Sequence, residues 1–316
     1  MRKVVLGAAL ALASTFAAAQ YPNKPIRFIV GFPPGGSADP TTRIVGAALQ
    51  EQLGQPVVVE NRPGADSAIA AEQVSKMAPD GYTIMFASNS AMTAAVALKK
   101  NPSYDPLKDF TPISMVGRAT VFFYVHPSVP ATTLKDFVAH AKANPGKLVY
   151  GTGNPLSILY GQQFMNTTGI QWLHVPYKGE GPLNPDILAG RVHASFLSTA
   201  SAISNAKEGR LRPLAVLLNK RSPLLPEVPT IDEAGVPEVT VRQWAGVFGP
   251  PKMPPEIVER LNREVNAVLK RPDVLEKLQT YGYAAEGSTP ERLAEINRTD
   301  LELWRRLVKE AGLPLD

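Results

Sequence analysis

The sequence predicts an α/β fold of two lobes, each a mainly parallel sheet with helices between its strands. Three observations predict it. Short runs rich in Ile and Val alternate with stretches whose apolar residues recur every three or four positions. The turns that lead from such a run into the next helix are small, hydroxylated or glycine-bearing. The alternation also lapses twice, as it would where a chain crosses into a second lobe and returns.

The strand candidates are Ile26–Gly31, Pro56–Glu60, Tyr82–Ala87, Val121–Val125, Lys147–Gly151, Leu214–Leu218 and Gln243–Phe248, short apolar runs suited to burial on both faces. After the first run, Ile44, Val45, Ala48, Leu49 and Leu53 mark a helix that Gly54 closes, with Asp39 as its N-cap and Pro40 at its first position. Strand followed by helix, repeated, implies parallel pairing through crossovers. The final third is helical. Glu256–Lys270 carries Ile257, Leu261, Val265, Val268 and Leu269 on one face, Pro272 opens a helix ending near Gly282, and Thr289-Pro290 opens the last, with Leu293, Ile296, Trp304 and Leu307 along its stripe. The lapses fall at 101–112 and 222–237, which gives one lobe of 20–120 plus 241–316 and a second of 121–240.

Residues 1–19 stand apart. Arg2 and Lys3 precede the apolar run Val4–Phe16, and Ala17-Ala18-Ala19 offers a small-residue cleavage pattern. This reads as a cleavable secretory signal, too short for a membrane anchor. It implies export, although the 316-residue chain has no cysteine for disulfides. Cleavage would lower the formal charge of +5 by two. The remaining cations occur at most as doublets (Lys99-Lys100, Lys220-Arg221, Lys270-Arg271, Arg305-Arg306) spread along the chain. Nothing in the sequence clusters them as phosphate-backbone binding requires, so no nucleic-acid partner is expected.

The polar residues collect in the strand-to-helix turns: Phe32–Ser37, Asn61–Ser67, Ser88-Asn89-Ser90, Thr152–Pro155, Val175–Gly179 and Ser198-Thr199. In an open α/β sheet such turns lie at the carboxyl ends of the strands, where ligands bind, and each opens a helix whose N-terminus favours negative charge. One helix N-terminus contributes about 0.3–2 kcal/mol, whereas micromolar affinity requires roughly 8 kcal/mol. A single Gly-Gly-Ser turn is therefore plain turn chemistry; six turns converging on one cleft are a candidate site.

Catalytic patterns are missing. The sequence has no G-x-G-x-x-G after the first strand, no phosphate-binding G-x-x-x-x-G-K-[ST], no H-E-x-x-H and no G-x-S-x-G. Ser204–Lys207 matches S-x-x-K but has no K-T-G companion and reads as the polar end of a helix before Gly209. His126, His140, His174 and His193 never fall at the i, i+4 spacing of a helical metal pair. No enzyme activity, cofactor or metal is expected.

The segments Tyr21–Arg27, Phe32–Asp39, Gly54–Ala65, Ala78–Thr83, Tyr104-Asp105-Pro106, His174–Gly179, Arg221-Ser222-Pro223 and Val228–Gly235, in order and spanning the chain after residue 20, resemble the periplasmic solute-binding proteins of tripartite tricarboxylate transporters, the Bug receptors. The resemblance implies a type II-like periplasmic-binding-protein (Venus-flytrap) fold, a small organic anion held between the lobes, and delivery to the membrane permease of such a transporter by a periplasmic monomer. A sensor for a signalling partner is one alternative, and a periplasmic enzyme using the same cleft, ranked below it, is the other. Mapped from the family, ligand contacts would come from Phe32, Gly36, Ser37 and Asp39, from Ala65, Asp66 and Ser67, and from Thr152, Gly153 and Asn154. Ser88, Asn89, Tyr177 and Ser198 join them from the remaining turns.

Two departures matter. Where the family usually continues Asn-Arg-Pro-Gly-Ala with Gly-Gly, this chain has Asp66-Ser67. A carboxylate there repels a neighbouring ligand carboxylate, so Asp66 either meets an ammonium or amide on the ligand or caps the helix that follows. After Gly151, Leu156 and Tyr160 add bulk that narrows the pocket, unless the Tyr160 ring belongs to the core.

Overall fold

The computed structural model describes residues 21–34, 37–237, 239, 242–310 and 315; the signal-like segment 1–19 and Gly36 lie outside them. The strands are β1 (Ile26–Val30), β2 (Val57–Asn61), β3 (Thr83–Ser88), β4 (Thr111–Ala119), β5 (Val121–Val125), β6 (Val149–Thr152), β7 (Leu173–Pro176), β8 (Ala194–Ser198), β9 (Arg212–Val216), β10 (Trp244–Gly249) and β11 (Tyr283–Ala285). They form a six-stranded sheet ordered β11-β4-β10-β3-β1-β2 and a five-stranded sheet ordered β7-β6-β8-β5-β9.

The helices that matter for the site are α1 (Ala38–Leu53) after β1, α2 (Ala68–Ser75) after β2 and the short α3 (Ala95–Ala97), reached through a π-turn at Ser90–Ala94. In the second sheet α4 (Leu134–Ala143) follows β5, α5 (Pro155–Thr168) follows β6, α6 (Glu180–Leu188) follows β7 and α7 (Thr199–Lys207) follows β8. The chain then returns, and α8 (Pro255–Val268), α9 (Pro272–Thr280) and α10 (Pro290–Glu310) complete it.

The sheets are mixed where the sequence reading expected mainly parallel ones. β1 runs parallel to β2 and β3, and β6 parallel to β7 and β8. β10 is antiparallel to β3 and β4, β11 to β4, and β5 to β8 and β9. Strands β4, β5 and β10 leave or re-enter a sheet without a crossover helix, so nothing imposes the parallel direction on them. β4 itself starts at the end of the 101–112 lapse and runs on to Ala119, before the next apolar run the sequence marks, because Pro112 and Gly117 interrupt its own.

Three apolar bodies hold the sheets among the described residues. In the first, Phe28, Val30, Ile84 and Phe86 pack with Val45 and Leu49 of α1 and Leu261 and Val265 of α8. In the second, Phe123 stacks on Phe164 at 5.2 Å between ring centres, Phe164 on Trp172 at 5.5 Å, and Trp172 on Tyr150 at 4.2 Å. Burying each such ring contributes about 1.5–3 kcal/mol, and offset stacking adds about 0.5–1.5 kcal/mol per pair.

Thr120 joins β4 to β5 and is bonded in both directions. Its N–H donates to the Gly282 carbonyl at 2.7 Å, beside the first sheet, and its carbonyl accepts from the Thr199 N–H at 3.2 Å, beside the second. Gly282 turns at φ 78° with Thr199 Cβ 3.0 Å from where a Cβ of its own would sit, so this approach needs a glycine.

Candidate ligand-binding cleft

Because β1, β2 and β3 share one direction and β6, β7 and β8 another, the six polar turns lie at the carboxyl edges of their two sheets. A cavity of about 240 Å³ is lined from both: Phe32, Asp66, Asn89 and Ser90 from the first three turns, and Asn154 and Leu156 from the β6–α5 turn. Ala94, Ala95 and Leu98 close one wall, and Gln243 and Trp304 the back. Sequence reading missed these last two. Trp304 was assigned to the apolar stripe of the final helix, and only the topology, which lays α10 against the π-turn after β3, carries that stripe into the cleft.

Each turn has its own local cause. Gly31 ends β1 where a Cβ would fall 1.8 Å from Ser67 Oγ, so only glycine admits the neighbouring turn. That turn runs through three successive left-handed residues, Ala65 (φ 46°), Asp66 (φ 51°) and Ser67 (φ 75°), a conformation costing about 1–3 kcal/mol per non-glycine residue. Ser67 is fully buried and its Oγ has no hydrogen-bond partner. Asp66 is exposed and lines the cavity. Its carboxylate does not cap the following helix: neither the Ala65–Ser67 turn nor α2 has a side-chain cap bond. The left-handed backbone removes Asp66 from the extended conformation that an N-cap requires, which overturns the capping alternative.

Asp39 is not the N-cap of α1 either. The helix starts at Ala38, Ser37 occupies the cap position without a side-chain bond, and Asp39 is buried in the first turn. Its Oδ1 accepts from Asn61 Nδ2 at 2.8 Å and from Arg43 Nε at 3.0 Å. Asn61 Nδ2 also donates to the Phe32 carbonyl at 3.0 Å. The two bonds to the Asp39 carboxylate are charge-assisted, and through Asn61 they tie the first two turns together. Ser88 is buried, accepting from the Ser90 N–H at 3.3 Å. Asn89 donates to the Arg242 carbonyl at 3.1 Å, fixing the third turn to the returning chain.

The second sheet's turns satisfy themselves. Asn154 caps α5: its Oδ1 accepts from the Ser157 N–H at 2.8 Å in a reciprocal capping box. Thr152 Oγ1 lies 2.7 Å from His174 Nε2, and burial lowers the basicity of that imidazole. A Cβ on Gly153 would meet backbone of Gly179 and Glu180 at 2.8 Å, so two turns touch there. Tyr177 sends its hydroxyl to Asp186 at 2.6 Å, and Ser198 donates its own to Glu180 at 2.6 Å. Tyr160 is core, 2% exposed and packed on Phe196 at 5.2 Å. Of the residues singled out in the sequence, then, Phe32, Asp66, Asn89, Ser90, Asn154 and Leu156 line the cavity. Ser37, Asp39, Ala65, Ser67, Ser88, Thr152, Gly153, Tyr177 and Ser198 do not.

Behind the cleft, the Asp300 carboxylate accepts from Trp244 Nε1 at 2.9 Å, and burial pushes its pKa from 3.8 to about 6. A larger groove of about 610 Å³ lies elsewhere, lined by Lys99, Lys100, Arg305 and Lys309 among others. Folding thus gathers at one place four cations that are scattered in sequence.

The sequence profile described as "Tripartite tricarboxylate transporter family receptor" matches residues 41–313. Protein BugT of Bordetella pertussis is 36% identical over 309 residues, which cover 96% of this chain and 94% of BugT. The chain belongs to the tripartite tricarboxylate transporter receptor family. That family consists of periplasmic solute-binding receptors, not enzymes. Two solved members share its architecture. Rhodopseudomonas palustris Rpa4515, solved with adipate, is 33% identical with a TM-score of 0.76, covering 92% of this chain and 98% of that one. MatC (Rpa3494) from Rhodopseudomonas palustris, solved with malate, is 28% identical with a TM-score of 0.70, covering 91% of this chain and all of that one.

Proposed function

We propose that this receptor captures a small organic carboxylate in the cleft between two lobes, 20–120 with 241–316 and 121–240, and delivers it to the membrane permease of a tripartite transporter. One observation carries the reading: a single cavity is lined at once by the carboxyl-end turns of both sheets, the place where open α/β folds bind ligands. Its volume, about 240 Å³, suits a solute of a few carbons rather than a peptide. Adipate and malate in the solved relatives give the chemical class. Binding draws the lobes together about the Thr120 joint, and the closed form is what the permease recognises. Residues 1–19 direct export to the periplasm, and the receptor works as a monomer.

The basic groove beside Lys99 and Arg305 is the rival anion site. Its lining among the described residues, drawn from 96–102 together with Arg305, Val308, Lys309 and Leu315, belongs wholly to the first of the two lobes, so occupancy there would not draw the lobes together.

Calorimetry and thermal unfolding with adipate and malate test the proposal. Binding of either, with stabilisation of about 2.7 kcal/mol at a hundred times its dissociation constant, supports it. Failure of small mono- and dicarboxylates as a class to bind would overturn it.

A further inference from the structure

We propose that the solute carries a protonated nitrogen beside its carboxylate, and that Asp66 is the residue that selects for it. This rests on reading the cleft as a carboxylate-receptor site.

Asp66 holds a carboxylate in the cleft wall and spends it on nothing, forming no hydrogen bond or ion pair among the described residues. The acid of the neighbouring turn behaves differently, since Asp39 is buried and bonded to Asn61 and Arg43. No Lys, Arg or His lines the cavity among the described residues, so Asp66 supplies its only formal charge. A plain dicarboxylate would bring two negative charges to a cavity that already holds one and no cation. The repulsion grows as water leaves a closing cleft.

A solute with an ammonium group removes the conflict. Its nitrogen meets Asp66, and its carboxylate meets neutral donors across the cleft. Asn154 is placed to provide one: its Oδ1 is taken by the Ser157 N–H, so its amide N–H groups remain. The start of α5 beside it also favours negative charge. Leu98 and Leu156 accept a short carbon chain. The fitting class is a short amino acid.

Calorimetry on the full receptor with matched pairs decides the matter: succinate and aspartate, glutarate and glutamate, adipate and 2-aminoadipate. In at least one pair the aminated member should bind the unaltered protein at least about tenfold more tightly. Asp66→Asn should weaken that member about 10- to 100-fold and improve its plain partner. Asn tolerates positive φ, so the turn persists, and Asp66→Gly serves as a second variant that relieves it. If the plain dicarboxylates bind the unaltered protein as tightly, or if both variants leave the ratio unchanged, the Asp66 inference fails while the receptor reading stands. If no small mono- or dicarboxylate, plain or aminated, binds either the unaltered protein or the variants, the receptor reading fails and takes the inference with it.

Discussion

The turns of the two sheets look alike in sequence and differ in how their polar groups are used. Around the second sheet, Asn154, Thr152, Tyr177 and Ser198 each bond to a neighbour in the strands and helices of that sheet's own side. Around the first, Asp66 is unbonded, Ser67 Oγ is buried without a partner, and three residues in a row hold left-handed backbone. Unpaired groups and strained backbone cost stability and persist where the surroundings or a ligand compensate. On the proposed reading of the cleft, the contrast would give recognition chiefly to the first lobe's turns and leave the second as a preformed wall.

If the second wall is preformed, its aromatic stack should bear most of the stability. Phe164→Ala should cost about 3–5 kcal/mol in denaturant unfolding. A loss under about 1 kcal/mol would mean that the wall is loosely held.

At Asp300, which bonds to Trp244 of the first sheet, pH should matter. The folded state keeps the Asp300 proton up to about pH 6, whereas the unfolded chain releases it near 3.8. The stability linked to this group is therefore fully present below about 3.8 and is lost as pH rises through about 6, a change on the order of 2–3 kcal/mol. The difference in unfolding free energy between the unaltered protein and Asp300→Asn, measured from pH 3.5 to 7, should show that decline, since carboxylates held below their usual range, such as Glu60 beside Arg27, act in the opposite sense in both proteins.

Removing one hydroxyl from each side sharpens the contrast further. Ser198→Ala deletes a bond to the Glu180 carboxylate and should cost about 1–2 kcal/mol. Ser67→Ala deletes a buried hydroxyl that bonds to nothing and should leave stability unchanged or raise it by up to about 1 kcal/mol. Equal losses would erase the distinction between the two sets of turns.

How far the sequence reads depends on whether a feature is local. Alternating apolar runs locate β1, β2, β3, β5 and β6, and Gly54 closes α1 as its left-handed C-cap at φ 67°, because these follow from nearby residues alone. β4 was missed, since its place is set by pairing with β10 more than a hundred residues later. At the cleft, Phe32, Asp66, Asn89 and Asn154 were legible as polar or aromatic members of strand-to-helix turns. Trp304 and Gln243 were not, because an apolar helix stripe and a strand edge look the same whether they face a core or a cavity. Nor did the sequence show that Asp39 would meet Asn61, a partnership that exists only once β1 and β2 lie side by side, whereas its pairing with Arg43 is one helical turn away in the same helix.

The account turns on where a bound solute sits. A crystal structure of the receptor with a solute that calorimetry shows to bind is the most direct measurement. The account predicts density between the two sheets, with a ligand nitrogen at Asp66 and a carboxylate near Asn154. Density in the basic groove beside Lys99, Lys100 and Arg305, with the cleft holding only water, would contradict it.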